Sequence, residues 1–363
     1  MIVIIGGVET AVRIRMMPPK SEDEFDQGME DNDAVVSEKT VGGLDATGFD
    51  AYIRKQRRAM QSDNYWDQVG TSMSNFGGYS AVAFDDDSDI SINNDGCGFN
   101  VAKILGNKFA GSQEVVLLSA LGTDGSGLAA MCELDEAGVD SSRVKRVPGN
   151  TAVTVEMRNM MGDIQFMRKS TGAIKGIDIA YIEENKDIID KADVVFMDGS
   201  LDGEVMRYIS DICQGKKLYF DPGSMDGAFK YAENECAAYG VMPGRRESEA
   251  MTGLTVLGVD QLMAAGKALE EKGVKHTIIT LKGGGLYYKE GLDEGLIEPK
   301  KVLSFAQTTG AGDVVTAAVL FEILNGKSFK EAAQAGIDDA GIYLADAVDE
   351  DTATQLRNKG LIK

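Results

Sequence analysis

The feature that most constrains the fold is a regular alternation of two kinds of segment along the chain. Short apolar runs typical of buried strands are separated by longer runs with the apolar periodicity of helices. The strand-like runs are residues 1–5, 115–118, 194–197, 218–220 and 276–281, and the helix-like runs are residues 128–137, 203–213, 259–271, 313–324 and 329–344. Because a helix between two strands returns the chain to a parallel neighbour, the alternation predicts an α/β fold with a mostly parallel sheet.

A second feature is a helix that begins with two glycines and a carboxylate, within residues 308–313. The free backbone N–H groups at a helix N-terminus attract anions, and glycines let a ligand approach the main chain closely. A carboxylate such as Asp313 is unexpected at this position, because it would repel a bound phosphate. The arrangement makes sense if Asp313 removes a proton from a nucleophile while the amides hold a phosphoryl group in transfer. From these residues alone, Asp313 is either such a base or a helix cap.

Glycines also follow several of the predicted strands. Gly223 comes after one strand, residues 283–285 after another, and Gly310 and Gly312 precede a helix. In α/β sheets, ligands bind at the carboxyl ends of the strands. The chain has 43 glycines, and this high content can explain each cluster by itself. It explains less well why all the clusters are predicted at the same edge of the sheet.

The charge of the chain argues against two classes of partner. Its formal net charge is -21 and its pI is near 4.5. Nucleic acids and anionic membranes are bound through clustered Lys and Arg, so we expect neither, although one local pocket can still hold a nucleotide. The apolar residues 1–8 are too short to cross a bilayer and have no basic leader, so they are predicted to form a first strand.

Cysteine and histidine usage argues against zinc binding and against a catalytic triad. The cysteines have no Cys-x-x-Cys spacing, and with one histidine they form no zinc signature; they are Cys97, Cys132, Cys213 and Cys236. Scattered cysteines without a secretory signal predict reduced thiols and a cytoplasmic protein. His276 lies in a strand-like run and is predicted to be structural.

Residues 20–95 differ in character from the rest of the chain, because they are polar and strongly acidic. Residues 79–84 resemble a strand and residues 52–60 a helix, while the acidic run 85–89 lacks the glycine and distal Glu of a calcium-binding loop. We predict an insertion outside the main core, and a disordered acidic tract is the alternative for residues 21–38.

Three motifs carry a resemblance to a known family. They are Gly96-Cys97-Gly98-Phe99-Asn100-Val101-Ala102, Leu121-Gly122-Thr123-Asp124-Gly125-Ser126-Gly127 and Thr309-Gly310-Ala311-Gly312-Asp313. In this order they resemble the N-terminal glycine-rich motif, the Gly-x-Asp-x-x-Gly motif and the C-terminal signature of the PfkB, or ribokinase-like, carbohydrate kinases. The resemblance runs from Asp95 to about Val348. It implies a three-layer α-β-α core with a mostly parallel sheet, and a small β-sheet lid.

The resemblance implies roles for the matching residues. Asp313 would accept the proton of a substrate hydroxyl, and backbone N–H groups in the turn would hold the transferring phosphoryl group; the turn is Gly310, Ala311 and Gly312. Asn100 would bind the substrate, with Gly96 and Gly98 giving it room. The family has a substrate-binding Asp after its first strand, where this chain offers Glu9, so that contact comes from Glu9, from elsewhere or is absent.

ATP and Mg²⁺ are the cofactors that the resemblance implies. The residues matching the ATP site are Thr280, Gly283, Gly285 and Thr309. Glu247 would help to order the Mg²⁺, although Gly244 stands where the family has the Asn of Asn-x-x-Glu. Gln307 replaces an Asp that contributes to the ion site of members activated by a monovalent cation, which argues against such a site here.

The predicted domains are a kinase core and a lid with the acidic insertion. The core comprises residues 1–7, 95–150 and 169–363, and the lid and insertion comprise residues 8–94 and 151–168, with a hairpin at 151–158 and 164–166. Because a lid sheet leaves edges that another strand can cover, we predict a homodimer through the lid.

The predicted activity is ATP-dependent phosphorylation of a hydroxyl group of a small sugar. One alternative is a nucleoside kinase of the same fold, in which Phe76, Tyr79 and Phe84 would line the base. Another is a catalytically inactive, ligand-binding homologue, suggested by the departures at Gly244 and Gln307. A dinucleotide-binding fold is set aside, because no Gly-x-Gly-x-x-Gly follows the first strand.

Overall fold

The computed structural model describes residues 1–15, 89–158, 164–281, 285–299 and 310–346. The chain divides into two units, one of Met1–Ile14 with Ile90–Lys363 and one of Arg15–Asp89. The strand at 79–84 and the helix at 52–60 that we predicted for the acidic insertion lie outside the described residues.

The order of strands and helices follows the predicted alternation. The described strands are β1 (Ile2–Ile5), β2 (Glu9–Arg15), β3 (Asp89–Asp95), β4 (Val115–Leu118), β5 (Ala120–Gly122), β6 (Lys145–Val147), β7 (Ala152–Arg158), β8 (Ile164–Ser170), β9 (Val194–Asp198), β10 (Lys217–Asp221), β11 (Gly240–Val241), β12 (His276–Leu281), β13 (Gly285–Glu290) and β14 (Asp293–Ile297). The described helices are α1 (Cys97–Phe109), α2 (Gly125–Glu136), α3 (Ile179–Glu184), α4 (Lys186–Lys191), α5 (Gly203–Ile212), α6 (Met225–Glu233), α7 (Arg245–Thr252), α8 (Val259–Glu271), α9 (Ala311–Leu324) and α10 (Phe329–Asp346).

In the described ranges, eight strands form one large, mostly parallel sheet in the order β14-β13-β12-β11-β10-β9-β1-β4. The neighbours from β4 to β12 pair in parallel, whereas β13 and β14 extend the sheet as antiparallel strands. Strand β1 lies between β4 and β9, so that Ile2 pairs with both Val115 and Val194. This arrangement confirms the predicted fold class.

Helices cover both faces of the sheet because its inner strands are apolar on both sides. Ile2 and Ile4 belong to a core cluster with side chains of α1, α2, α9 and α10. Val3 and Ile5 point the other way and belong to a second cluster with side chains of α3 to α8. All four β1 side chains are fully buried. Continuous apolar strands buried on both faces are the pattern of a parallel sheet between two helical layers.

Four of the described strands form a smaller sheet in the order β3-β2-β7-β8. Its strands come from the two segments predicted as lid, and β7 and β8 pair antiparallel as the predicted hairpin. The sheet runs slightly beyond the predicted boundaries, since β3 ends at Asp95 and β8 at Ser170. Strands β5 and β6 form a separate two-stranded sheet.

Two details of the core follow from single side chains. Helix α2 begins three residues before its predicted start, because Asp124 caps it by accepting a hydrogen bond from the N–H of Gly127. The buried His276 lies 2.7 Å from the hydroxyl of Tyr219 through Nδ1 and 2.9 Å from the carboxylate of Glu290 through Nε2. These contacts agree with the structural role predicted for this histidine.

Candidate active site

Helix α9 begins with a glycine in the left-handed conformation. Gly310 has a φ of 82°, and a Cβ at this position would lie 2.8 Å from the hydroxyl of Tyr343. Gly310 is the N-cap residue and makes no side-chain cap, so Asp313 lies within the first turn and the alternative role of Asp313 as the helix cap is wrong. The first N–H groups of the helix therefore have no helical partner.

The carboxylate of Asp313 is half-buried and is held by two neighbours. Nδ2 of Asn100 donates to Oδ2 of Asp313 at 2.7 Å and to Oδ1 of Asp95 at 2.6 Å, so one amide group joins two carboxylates. The thiol of Cys97 also hydrogen-bonds to Asp313, and burial raises the pKa of this thiol well above its ordinary value. The thiol thus stays protonated and acts as the donor.

Burial raises the pKa of Asp313 to about 6. The hydrogen bonds from Asn100 and Cys97 oppose this increase, while the negative charges of Asp95 and Asp198 add to it. Asp313 is therefore mostly ionised at neutral pH, yet its basicity is greater than that of an ordinary aspartate. This is the balance that a general base requires.

Asp221, the last residue of β10, connects the sheet to α9. Its Oδ2 accepts a hydrogen bond of 2.7 Å from the hydroxyl of Thr316, and its Oδ1 accepts one of 2.9 Å from the N–H of Gly223. Burial, together with the charge of Asp313, raises the pKa of Asp221 to about 7. The Thr316 contact fixes the position of the helix that carries Asp313.

Asp198, the last residue of β9, joins two glycine-rich turns. Its Oδ2 accepts hydrogen bonds from the N–H groups of Gly98 at 2.8 Å and Gly7 at 3.2 Å. A Cβ on Gly6 would lie 2.3 Å from the same oxygen and 3.0 Å from the Cα of Gly98. Glycine is thus required where β1 ends and α1 begins, because the two backbones meet on one carboxylate.

These elements surround a cavity of about 340 Å³ at the carboxyl ends of the central strands, faced by the small sheet. Its lining residues are Glu9, Arg13, Asp95, Gly96, Cys97, Glu156, Asp221, Gly223, Met242, Gly244, Glu247, Thr280, Gly310, Gly312 and Asp313. A wider depression of about 680 Å³ lies between α3 and α5 and contains none of the predicted site residues. The smaller cavity is therefore the candidate active site, because it is the one that the predicted site residues line.

The cavity gathers most of the residues predicted as site residues. Those that line it are Glu9, Gly96, Glu247, Thr280, Gly310, Gly312 and Asp313. Asn100 is joined to it through Asp313, Ala311 begins α9, and Gly98 lies behind it against Asp198. Gly283 and Thr309 lie outside the described residues.

Gly285 does not line the cavity. It has a φ of 91°, and a Cβ would lie 2.0 Å from the carbonyl oxygen of Ile297. The pairing of β13 with β14 is therefore reason enough for glycine at this position.

Glu247, in the first turn of α7, occupies space that Gly244 leaves free. A Cβ on Gly244 would lie 2.4 Å from Oε2 of Glu247. The Glu247 carboxylate therefore lies where a side chain at position 244 would begin. Among the described residues, no group of three His, Cys, Asp or Glu side chains is arranged to hold a metal ion.

Sequence reasoning missed several charged residues of the site. Asp198 and Asp221 each end an apolar strand of a parallel sheet, and Asp95 directly precedes the glycine-rich motif. Their positions at strand and motif ends were an available signal. Arg13 and Glu156 lie on strands of the small sheet, and no local pattern distinguishes them from surface residues.

Comparisons with known proteins identify the family. The family described as "pfkB family carbohydrate kinase" matches this chain over residues 81–344. Pseudouridine kinase of Escherichia coli (strain K12) is 24% identical over 282 residues, which cover 75% of this chain and 88% of that protein. Guanosine-inosine kinase of Exiguobacterium acetylicum is 26% identical over 267 residues, which cover 71% of this chain and 85% of that protein.

A solved structure shares the fold. Ribokinase of Arabidopsis thaliana, solved with ribose and ATP, superimposes with a TM-score of 0.63 at 17% identity and covers 98% of this chain and 97% of its own. In the ranges that the structure describes, every helix is too short or too polar to cross a membrane. Because the family match spans most of the chain, the protein belongs to the pfkB family of carbohydrate kinases and is an ATP-dependent sugar or nucleoside kinase.

Proposed function

We propose that the protein transfers the terminal phosphoryl group of ATP to a hydroxyl group of a small sugar, with Asp313 as the general base. One observation carries this proposal: the half-buried Asp313 carboxylate lines the cavity in the first turn of α9, beside N–H groups that lack helical partners. Such a site can accept a proton from a hydroxyl and hold an anion next to it.

The transfer consists of three coupled changes. The acceptor hydroxyl gives its proton to Asp313, its oxygen bonds to the γ-phosphorus, and the bond from that phosphorus to the bridging oxygen breaks to leave ADP. The N–H groups of Ala311, Gly312 and Asp313 would stabilise the charge on the phosphoryl oxygens. A Cβ on Gly312 would have no neighbour within 4 Å, so the main chain is open to a ligand on that side.

Asn100 and Glu9 are suited to bind the acceptor. Because both N–H bonds of Asn100 Nδ2 are used by Asp95 and Asp313, its side-chain oxygen remains for an acceptor hydroxyl. Glu9 lies on β2 and lines the cavity, which favours it over the alternatives for the early substrate contact. Gly96, with a φ of 120°, brings the backbone close to the same space.

Glu247 and Thr280 are suited to the ATP end of the cavity. Mg²⁺ that accompanies ATP takes most of its ligands from phosphate and water, so one carboxylate such as Glu247 is a fitting protein contribution. The ion would neutralise phosphate charge. The roles predicted for Gly283, Gly285 and Thr309 in ATP binding remain predictions.

A nucleoside acceptor is the second candidate. Two relatives with broad coverage are named as a pseudouridine kinase and a guanosine-inosine kinase, which favours this class. The aromatic wall predicted from Phe76, Tyr79 and Phe84 lies outside the described residues. A catalytically inactive homologue is disfavoured because Asp313 lines the cavity and is held there by the hydrogen bond from Asn100.

Acceptor-dependent release of ADP tests these alternatives. The protein is incubated with ATP and Mg²⁺, first alone and then with a panel of pentoses, hexoses and nucleosides. Stimulation by sugars supports the proposal, and stimulation by nucleosides alone supports the second candidate. Stimulation by no compound would favour a binding homologue, and activity that persists with EDTA would reject the role given to Glu247.

The pH dependence of kcat/KM should identify Asp313 as the base. Because the ionised form accepts the proton and the pKa is raised to about 6, activity should be constant above that pH and fall as pH decreases through it. In Asn100→Ala the loss of a hydrogen bond that stabilises the ionised form should move this decline to higher pH. Profiles from pH 5 to 9 measure both effects.

A suitable control for these profiles is Glu322→Gln, on the same helix but outside the cavity. Its profile should match that of the unmodified protein. Asn100 contacts Asp313 and Asp95 but not Asp221, so a shift in Asn100→Ala separates Asp313 from Asp221. An unchanged decline in Asn100→Ala would contradict the assignment.

We also propose that the protein is a cytoplasmic homodimer that associates through the small sheet. Ile90 and Ile92 on β3, which is the outermost described strand of this sheet, are 60% and 67% exposed, an apolar surface that a second copy could cover. Sedimentation velocity of the full chain tests this, and a monomer at micromolar concentration would contradict it.

A further inference from the structure

The described residues that line the cavity carry a strongly unequal set of charges. Their basic member is Arg13 alone, whereas their acidic members are Glu9, Asp95, Glu156, Asp221, Glu247 and Asp313. Burial raises the pKa of Asp313 and Asp221. Three further carboxylates, those of Glu9, Asp95 and Glu156, line the acceptor side of the cavity, which is formed by the small sheet and the start of α1. An anionic substrate would need a positive group on this side of the cavity that is not already paired with a carboxylate.

Arg13 is already paired with carboxylates of the chain. Its guanidinium forms a close ion pair with Asp95, and its Nε lies 3.6 Å from Oε2 of Glu156. The Arg13 and Asp95 side chains are each 18% exposed, so solvent screens this pair weakly. A phosphate or carboxylate on the acceptor would have to compete with two fixed carboxylates for one guanidinium.

Lys169 on β8 is paired with another carboxylate that lines the cavity. Its Nζ lies 2.7 Å from Oε2 of Glu9, the residue best placed to contact an acceptor. The Glu9 side chain is more deeply buried than Lys169, at 14% against 42% exposure. Glu9 lines the cavity and Lys169 does not, so a bound acceptor would contact the carboxylate of this pair.

The N-terminus of α1 is the other feature of the acceptor side that could attract an anion. The N–H of Gly98 in its first turn donates to the buried carboxylate of Asp198 at 2.8 Å, and Gly7 donates to the same oxygen. Asp198 thus occupies the position where a bound anion would lie. The start of α9 remains open, and the proposed function assigns it to the phosphoryl group in transfer.

We infer that the acceptor carries neither a phosphate nor a carboxylate group and is an uncharged, polyhydroxylated molecule. This inference rests on the proposed function. Ionised carboxylates only accept hydrogen bonds, and the hydroxyl groups of a neutral sugar supply the matching donors. An added anionic group would meet like charges at Glu9, Asp95 and Glu156. In the described part of the chain, the basic groups that contact these three residues are Arg13 and Lys169, and both are already engaged in these ion pairs.

Paired acceptors that differ by one anionic group test the inference. Fructose is compared with fructose 1-phosphate and fructose 6-phosphate, glucose with gluconate, and nucleosides with their 3′-monophosphates, which keep the 5′-hydroxyl free. We expect kcat/KM for the neutral member of the productive pair to be about 100-fold higher. Equal or greater kcat/KM for an anionic member would overturn the inference while leaving the kinase activity intact.

The variant Glu156→Gln shows whether the lining charges cause this selectivity. Removing one of the carboxylates that neutralise Arg13 should reduce the neutral-to-anionic ratio about tenfold. The matched control is Glu233→Gln, the same change at an exposed residue of α6 outside the cavity, which should leave the ratio unchanged. Thermal melting confirms that both variants fold. An unchanged neutral-to-anionic ratio in Glu156→Gln would show that the lining carboxylates do not cause the selectivity, and it would overturn the inference.

Calorimetric titration of the same pairs, without ATP, separates this inference from the proposed function. If no acceptor of either kind stimulates ADP release, the proposed function fails, but binding of neutral members alone would still support the inference. Tighter binding of the anionic members would overturn it even in the absence of turnover.

Discussion

The variant Asp313→Asn is expected to lose about three orders of magnitude in kcat, the middle of the range for removal of a general base. Asparagine has nearly the same shape as aspartate, so α9 keeps its start, but the amide cannot accept the proton of the acceptor hydroxyl. Affinity for ATP should be retained, because the N–H groups at the start of α9 are unchanged. Initial rates of ADP release and titration with ATP measure the two quantities.

Glu322→Gln is the matched control for this variant. It makes the same carboxylate-to-amide change on the same helix, in a residue that does not line the cavity, and should keep kcat within about twofold of the original. The folded state of Asp313→Asn should be at least as stable as the original, since the change removes a negative charge that is repelled by Asp95 and Asp198. An Asp313→Asn variant that keeps most of its kcat would reject Asp313 as the base.

The variant Gly6→Ala should lower the free energy of unfolding by about 3 kcal/mol, the upper part of the range for overpacking. The added Cβ would lie 2.3 Å from Oδ2 of Asp198 and 3.0 Å from the Cα of Gly98. Asp198 cannot move aside without releasing the N–H groups of Gly7 and Gly98. The residual folded protein should also have a lower kcat, because displacement of α1 moves Asn100.

Gly125→Ala is a suitable comparison for the same substitution. Gly125 is the first residue of α2, and a Cβ there has no neighbour within 4 Å. This variant should differ by about 0.5 kcal/mol or less in unfolding free energy. Urea unfolding followed by circular dichroism measures both variants. Equal stability of Gly6→Ala and Gly125→Ala would show that the turn adjusts around the extra methyl group.

The strands and helices of the core could be predicted because each has a strong local pattern. Strand β1 is a continuous run of isoleucine and valine, and α8 was predicted at Val259–Glu271 as observed. The start of α2 was placed too late, because the apolar pattern begins after the cap at Asp124 that starts the helix. The sequence thus predicts periodic segments well and their polar ends less well.

The candidate site could be predicted in part, through motifs that are contiguous in the chain. The turn before α9 and the motif around Asn100 were found this way, and they meet through the hydrogen bond from Asn100 to Asp313. Arg13 was not found, because no local pattern marks it. The end of an apolar strand marks Asp198 as a candidate, but its role depends on contacts with residues distant in sequence. The bond from Gly98 to Asp198, for example, spans 100 positions.

The sequence by itself determined the α/β class, the family resemblance and the position of Asp313 beside glycines at a helix start. Only the tertiary structure decided that Asp313 is not the helix cap and that Asn100 joins it to Asp95. It also decided that Arg13 and Lys169 are paired with carboxylates that line the cavity. The physical reason is that hydrophobic periodicity and turn chemistry are local properties of a chain. Charge balance and burial are instead set by residues from separate strands that meet at one edge of the sheet.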